Sequence, residues 1–238
     1  MIDTPNPRQN YLLNALPSTE YERLLPHLEL VQMPLGDILY EPGEKLHFVY
    51  FPTDCIISQL HAMQDGGSSE IAVIGNEGAI GITLFMGGGT MTNRALVQSA
   101  GYTYRIRQSL FMQEFNRHDT LLHLLLRYTQ ALIAQVAQTA VCNRHHSVDQ
   151  QLCRRLLLSI DRLPSNELTM TQELIANMLG VRREGVTEAA GKLQQAGLIH
   201  YSRGHITVLD RSGLEERVCE CYHVVKNEFD RLLPLRMS

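Results

Sequence analysis

Apolar positions repeat along this chain in two textures, and the changes between them divide it. From Leu12 to Leu30 the spacing of Leu12, Leu16, Tyr21, Leu24, Leu25 and Leu28 is helical. From Val31 it becomes short β-like runs set between glycines and prolines: Asp37–Tyr40, Phe48–Phe51, Ile56–Leu60, Ile71–Ile74 and Ala95–Val97. Many short strands at such intervals imply a sandwich or barrel. Helical spacing returns from Leu121 to Val141, here with two apolar stripes. Leu122, Leu126, Thr129, Ile133, Val136 and Ala140 follow the 4-3 step of a coiled-coil seam, and Leu121, Leu125, Tyr128 and Leu132 lie beside them. One stripe can pack on its own chain, and the other needs a partner, most simply a second copy.

Beyond this helix, Cys142–His146 reads as a hinge and Ser147–Leu163 as an amphipathic helix capped by Ser147, with Leu152, Leu156, Leu157 and Ile160 inward. The segment from Leu168 to Ile206 then reads as a helix-turn-helix followed by a hairpin. A helix over Thr171–Met178 buries Leu174, Ile175 and Met178, Gly180 supplies the left-handed turn, and Val181 packs beneath it. A second helix over Arg182–Gln195 points Val186, Ala190 and Leu193 inward. Leu198–Tyr201 and His205–Val208 flank the tight turn Ser202-Arg203-Gly204. Ser212–Leu233 reads as one last helix.

The chemistry of that segment points to duplex DNA. The second helix of such a motif lies in the major groove with its N-terminal residues at base edges. Arginine can bond guanine bidentately and a carboxylate can accept from the cytosine amino group. Arg182, Arg183, Glu184, Thr187 and Glu188 are therefore the candidates for base readout, and Thr171, Gln172, Lys192, Ser202 and Arg203 for phosphate contacts. Two amphipathic helices around a glycine turn also occur in domains that never meet DNA. A module using its helices for protein contacts is the rival reading, with the Arg183-Glu184 pair and Arg203 arguing against it.

The net charge of −4 over 238 residues does not by itself mark a nucleic-acid binder, so the basic face must be local. Arg182, Arg183, Lys192 and Arg203 provide a modest one, which calls for two copies to reach useful affinity. No apolar run approaches membrane-spanning length and the N-terminus lacks the features of a signal peptide, so a cytoplasmic protein is expected. The 5 cysteines fit reduced thiols rather than a disulfide framework. No phosphate-binding loop, nucleophile elbow or His-Glu-x-x-His motif suggests an enzyme.

The Arg183-Glu184-x-Val186 start of the second helix, with its adjoining hairpin, resembles the winged DNA-binding domain of the cyclic-AMP receptor protein/FNR superfamily of bacterial transcription regulators. Glu188 stands where the best-known members carry a second arginine, which implies a different operator. Pro34-Leu35-Gly36-Asp37 and Glu41-Pro42-Gly43-Glu44 resemble the opening turns of that family's β-roll. The resemblance implies an α+β fold with three parts: an N-terminal β-roll of the cyclic-nucleotide-binding type over 1–118, a dimerisation helix and hinge over 119–145, and a winged helix-turn-helix with a helical extension over 146–238. It also implies a homodimer that binds pseudo-palindromic operators and meets RNA polymerase.

The family's phosphate cassette falls on the segment after Ile74. Its possible effector pocket is Gly78, Ala79, Ile80, Gly81, Asn93 and Arg94. Cyclic-AMP binders have a glutamate for the ribose where Ala79 stands, and Arg-Ser for the phosphate near Asn93-Arg94. The missing carboxylate argues against a cyclic nucleotide and leaves a structural remnant or an unidentified small-molecule effector. The triple glycine Gly87–Gly89 reads as a hairpin tip.

Cys142, His145, His146 and Cys153 invite a metal, but their spacing matches no established closed site. Cys219 and Cys221, two apart on one helix, would point about 200° away from each other. No metal and no cofactor are therefore expected. An FNR-type iron-sulfur cluster would need cysteines near the N-terminus, where the first is Cys55.

Overall fold

The computed structural model describes residues 5–64 and 67–233. The helical texture near the N-terminus resolves into two short helices, α1 (Tyr11–Asn14) and α2 (Ser18–Leu24). Pro17 stands at the start of α2 and Pro26 in the tight turn after it, so the single stretch expected as far as Leu30 is cut where prolines withhold N–H groups. From there the chain enters the β-roll: β1 (Glu29–Met33), β2 (Ile38–Tyr40), β3 (Phe48–Pro52), β4 (Ile56–Ala62), β5 (Ser68–Ile74), a helical turn α3 (Ile82–Phe85), β6 (Arg94–Ser99) and β7 (Gly101–Arg107). Two antiparallel sheets result, ordered β1-β7-β3 and β2-β6-β4-β5. Strands β1 and β7 are additions to the sequence reading. Met33 is the only buried residue of β1, so its alternation is too weak to read.

Helix α4 (Gln108–Phe115) closes the roll and leads to α5 (Thr120–His145), the longest element. Leu121, Leu125, Tyr128 and Leu132 are buried on their own chain, the Tyr128 hydroxyl donating to Ala79 O at 2.9 Å. The second stripe leaves Leu126 at 53% and Ile133 at 61% exposure. Thr129 departs from that stripe: it is buried, with its hydroxyl on Leu125 O at 2.8 Å, because a 3.6-residue helix drifts away from a 3.5-residue seam. Helix α5 also runs unbroken through the expected hinge. The chain turns only at His146–Ser147, where Ser147 and Gln150 form a capping box for α6 (Val148–Ile160).

The remaining elements are β8 (Glu167–Thr169), α7 (Gln172–Leu179), α8 (Arg183–Gln195), β9 (Ile199–Ser202), β10 (His205–Val208), α9 (Arg211–Arg217) and α10 (Cys221–Leu232). The last two replace the single helix expected over Ser212–Leu233. Val218 leaves helical geometry at φ −66°, ψ 151°, and the chain restarts after Glu220. Packing sets this break. Arg211 holds α9 to Asp161 at 2.6 Å, while Phe229 carries α10 onto Tyr128 of α5, with ring centroids 6.5 Å apart.

The two halves of the chain share one apolar core, running from Leu12 to Leu233. Buried ion pairs cross it. Arg155 of α6 meets Glu70 of β5 at 2.7 Å, and Arg162 meets Glu77 at 2.7 Å. Ser58 donates to the same Glu70 carboxylate at 2.6 Å. Burial raises the Glu70 pKa while Arg155 opposes the rise. Among the described residues no helix is long and apolar enough to cross a membrane.

Candidate nucleic-acid interface

The reading head starts from local capping. Thr171 accepts the Leu174 N–H at 3.1 Å and so fixes the start of α7, and Gly180, at φ +66°, ends it. Val181 then bonds back to Ala176 O, and Arg182 stands at the N-cap of α8 with no side-chain cap of its own. Val186, Ala190 and Leu193 are buried beneath α8. The outward residues Arg182, Arg183, Glu184, Thr187, Glu188 and Lys192 line its open side.

The hairpin lies beside this helix. Strands β9 and β10 pair antiparallel with Ser202 opposite His205. The two turn residues, Arg203 at φ +50° and Gly204 at φ +83°, both have the left-handed backbone of a type I′ turn. That geometry lifts Ser202 and Arg203 to the tip. Strand β8, absent from the sequence reading, pairs with β10 and makes the wing three-stranded.

Helix ends and wing enclose an open cleft lined by Thr171, Gln172, Glu173, Arg183, Tyr201, Arg203 and Gly204. Two hydrogen bonds frame it. The Thr187 hydroxyl donates to Gln172 Oε1 at 2.8 Å, tying α8 to α7, and the Tyr201 hydroxyl donates to Met170 O at 2.9 Å. Burial raises the Tyr201 pKa, and the nearby Arg183 charge opposes this. Thus Thr171, Gln172, Arg183 and Arg203 converge. Lys192 does not: its ammonium lies 2.8 Å from Glu188 and 3.7 Å from Asp149, in a separate concavity with Ser147 and Arg217. The Glu188 hydrogen bond raises the Lys192 pKa, and the same contact lowers that of Glu188. Sequence reasoning misses Tyr201 and Glu173, because a hairpin tyrosine and a first-turn glutamate look alike whether or not they border a cleft.

Residues 150–217 match the model of the Crp-like helix-turn-helix domain. Solved structures extend the likeness over most of the chain, each at an identity that speaks for the fold alone. FixK2 from Bradyrhizobium japonicum is 15% identical, with 81% of this chain and 98% of that one covered at a TM-score of 0.67. The c-di-GMP responsive global regulator CLP from Xanthomonas campestris is 16% identical over 82% of this chain and 100% of its own, at 0.64. A CRP/FNR family transcriptional regulator from Thermus thermophilus is 19% identical over 79% and 97%, at 0.61. The chain therefore has the fold of the CRP/FNR transcriptional regulators. No curated protein matches it.

Away from the Crp-like domain, the cassette residues are engaged within the roll. Ala79 and Ile80 are buried at 1% and 0% exposure, and Ile80 exchanges backbone hydrogen bonds with Tyr50. Gly78 backs onto the Tyr128 ring so closely that a Cβ there would lie 2.6 Å from the hydroxyl oxygen. Asn93 turns inward and accepts from the Tyr40 hydroxyl at 3.0 Å; burial pushes that phenol up to about 12. Arg94 turns outward to Glu41 at 2.8 Å. Gly81, at φ +106°, starts α3.

One cluster of ligand-type atoms contradicts the geometric argument made from sequence. Cys142, His146, Cys219 and Cys221 place one sulfur or ring nitrogen each within 4.8 Å of one another. The 200° separation expected of Cys219 and Cys221 fails because α10 begins only at Cys221, leaving Cys219 in the break. His145 and Cys153, which the sequence grouped with Cys142, lie outside the cluster. The legible signal is the four-residue spacing of Cys142 and His146, which the structure places in the last turn of α5 and at its C-cap.

Proposed function

We propose that the protein is a sequence-specific DNA-binding transcription regulator that reads pseudo-palindromic operators as a homodimer. It acts by binding rather than by turnover, in the cytoplasm. The observation that carries this reading is the exposed N-terminal end of α8, where Arg183 and the wing residue Arg203 line one open cleft. Arg183 and Glu184 take base edges, with Arg182 and Thr187 beside them. The free N–H groups at the start of α7, Thr171, Gln172 and the wing tip Ser202-Arg203 take phosphates. Glu188 and Lys192 reach DNA only by giving up their mutual ion pair.

Dimerisation is supported by the apolar side chains that α5 leaves exposed, Leu126 and Ile133, with the half-buried Leu122 and Val136 and the exposed Ala140 on the same stripe. A second α5 is the partner that a two-fold operator demands. The sensory part is residues 1–118, the dimerisation helix 119–145, and the DNA-binding part 146–238, with the turn between the last two at His146–Ser147. Within the sensory part, the inward Asn93, the outward Arg94 and the Tyr128 ring behind Gly78 support a cassette that has lost its cyclic nucleotide.

Selection of bound fragments from random duplex DNA by the full-length protein, with and without cyclic AMP and cyclic GMP, tests this reading. A two-fold symmetric motif recovered without nucleotide is the expected result. Steeply salt-dependent binding with no motif in any condition would favour a signalling module instead. Arg183→Ala should cost about 1–3 kcal/mol and relax the preference at one position per half-site. An equal loss on every sequence would make Arg183 a phosphate contact.

A further inference from the structure

The Crp-like match ends at residue 217, and Cys219 and Cys221 lie in the chain just beyond it. They meet Cys142 from the last turn of α5 and His146 from its C-cap. The three cysteines are buried at 0%, 3% and 0% exposure and form an apolar cluster of their own, apart from the main core. Their spacing is that of ligands around an ion. The Cys142 and Cys219 sulfurs are 3.6 Å apart, far beyond the roughly 2.05 Å of a disulfide. A tetrahedron with metal–sulfur bonds of about 2.3 Å has edges of about 3.8 Å. His146 Nδ1 lies 3.4 Å from the Cys221 sulfur, on the same scale.

The surroundings match a ligand set as well. His146 turns its other nitrogen, Nε2, to Glu220 Oε2 at 3.4 Å, the carboxylate–histidine arrangement that orients a metal-binding imidazole. Gln138 donates to the Cys221 sulfur at 3.0 Å, and the Cys221 backbone N–H to the Cys219 sulfur. Three thiolates and a divalent cation leave one net negative charge. Arg154, buried nearby and donating to Thr139 Oγ1 rather than to a carboxylate, acts electrostatically on Cys142 and offsets it.

We propose that Cys142, His146, Cys219 and Cys221 form a closed Cys3His site for a thiophilic divalent cation of the zinc type. The site clasps the C-terminal end of α5 to the junction between α9 and α10. Four protein ligands leave no open position, so its role is structural rather than catalytic. It stands independently of the DNA reading, since none of the four residues lies in the interface cleft.

The test uses full-length protein purified under reducing conditions from zinc-supplemented cells. Elemental analysis should find about one zinc per chain. Replacement by Co2+ should give the strong visible and charge-transfer absorption of a tetrahedral thiolate site. Chelation should lower Tm, and added Zn2+ should restore it. Cys142→Ser and the double variant Cys219→Ser/Cys221→Ser should lose the cobalt absorption, while Cys153→Ser, buried outside the cluster, keeps it. Glu220→Gln should weaken Zn2+ affinity by about 10- to 100-fold. Since the cobalt and chelation measurements use the unaltered chain, a variant that fails to fold does not decide the matter. Metal-free protein with no cobalt absorption and an unchanged Tm would overturn the proposal. So would a Cys142–Cys219 disulfide that forms and persists with zinc present.

Discussion

Gly78 shows how a single hydrogen atom can fix a local arrangement. The Tyr128 ring occupies the space in front of its Cα, and that ring is fully buried with its hydroxyl committed to Ala79 O. Gly78→Ala should therefore overpack the site and cost about 1–3 kcal/mol, read as a lower urea midpoint. A variant of unchanged stability would mean that α5 shifts freely against the cassette. From sequence, this glycine suits the close approach of a ligand phosphate, a demand for space that looks the same when the occupant is an aromatic ring far along the chain. Arg203 is more legible. Its place before Gly204, between two alternating runs, identifies a hairpin tip, and both residues adopt positive φ there.

For the elements, legibility follows periodicity. Helices α7 and α8 are visible because their apolar stripes and Gly180 agree, and α5 because its two stripes are long. The break between α9 and α10 is not visible, since no proline or glycine stands at 218–220 and the apolar rhythm runs on through Val218. Long-range packing makes it, and with it the cysteine cluster that helical spacing argues against. The outer stripe of α5 carries the prediction at this scale. Ile133→Glu places a charge at a side chain 61% exposed in the single chain, so the fold should survive while the dimer does not. Sedimentation at micromolar concentration should show a monomer with unchanged circular dichroism. A dimer that persists would remove α5 as the interface.

Across the whole molecule, the contact between the β-roll and the Crp-like domain is the part least readable in advance, because nothing in the pattern of either half announces a partner for Glu70 or Glu77. Removing one partner from a buried pair strands the other. Glu70→Ala should cost about 3–5 kcal/mol in equilibrium unfolding by leaving Arg155 uncompensated. Replacing both, as Glu70→Leu with Arg155→Met, should recover much of that loss; a double variant no better than the single would show that Arg155 matters through other contacts. These pairs and the continuous core also bear on how a signal could travel. If two chains pair through α5 as proposed, chains locked in this way have their freedom at that join rather than within themselves, and would work as the arms of a caliper. Helix α5, with 26 residues, is about 39 Å long at about 1.5 Å per residue, a lever that turns a slight rotation at the pivot into a change of gap at the jaws. What such a protein would regulate is the distance it can span on DNA, with each reading head left unchanged.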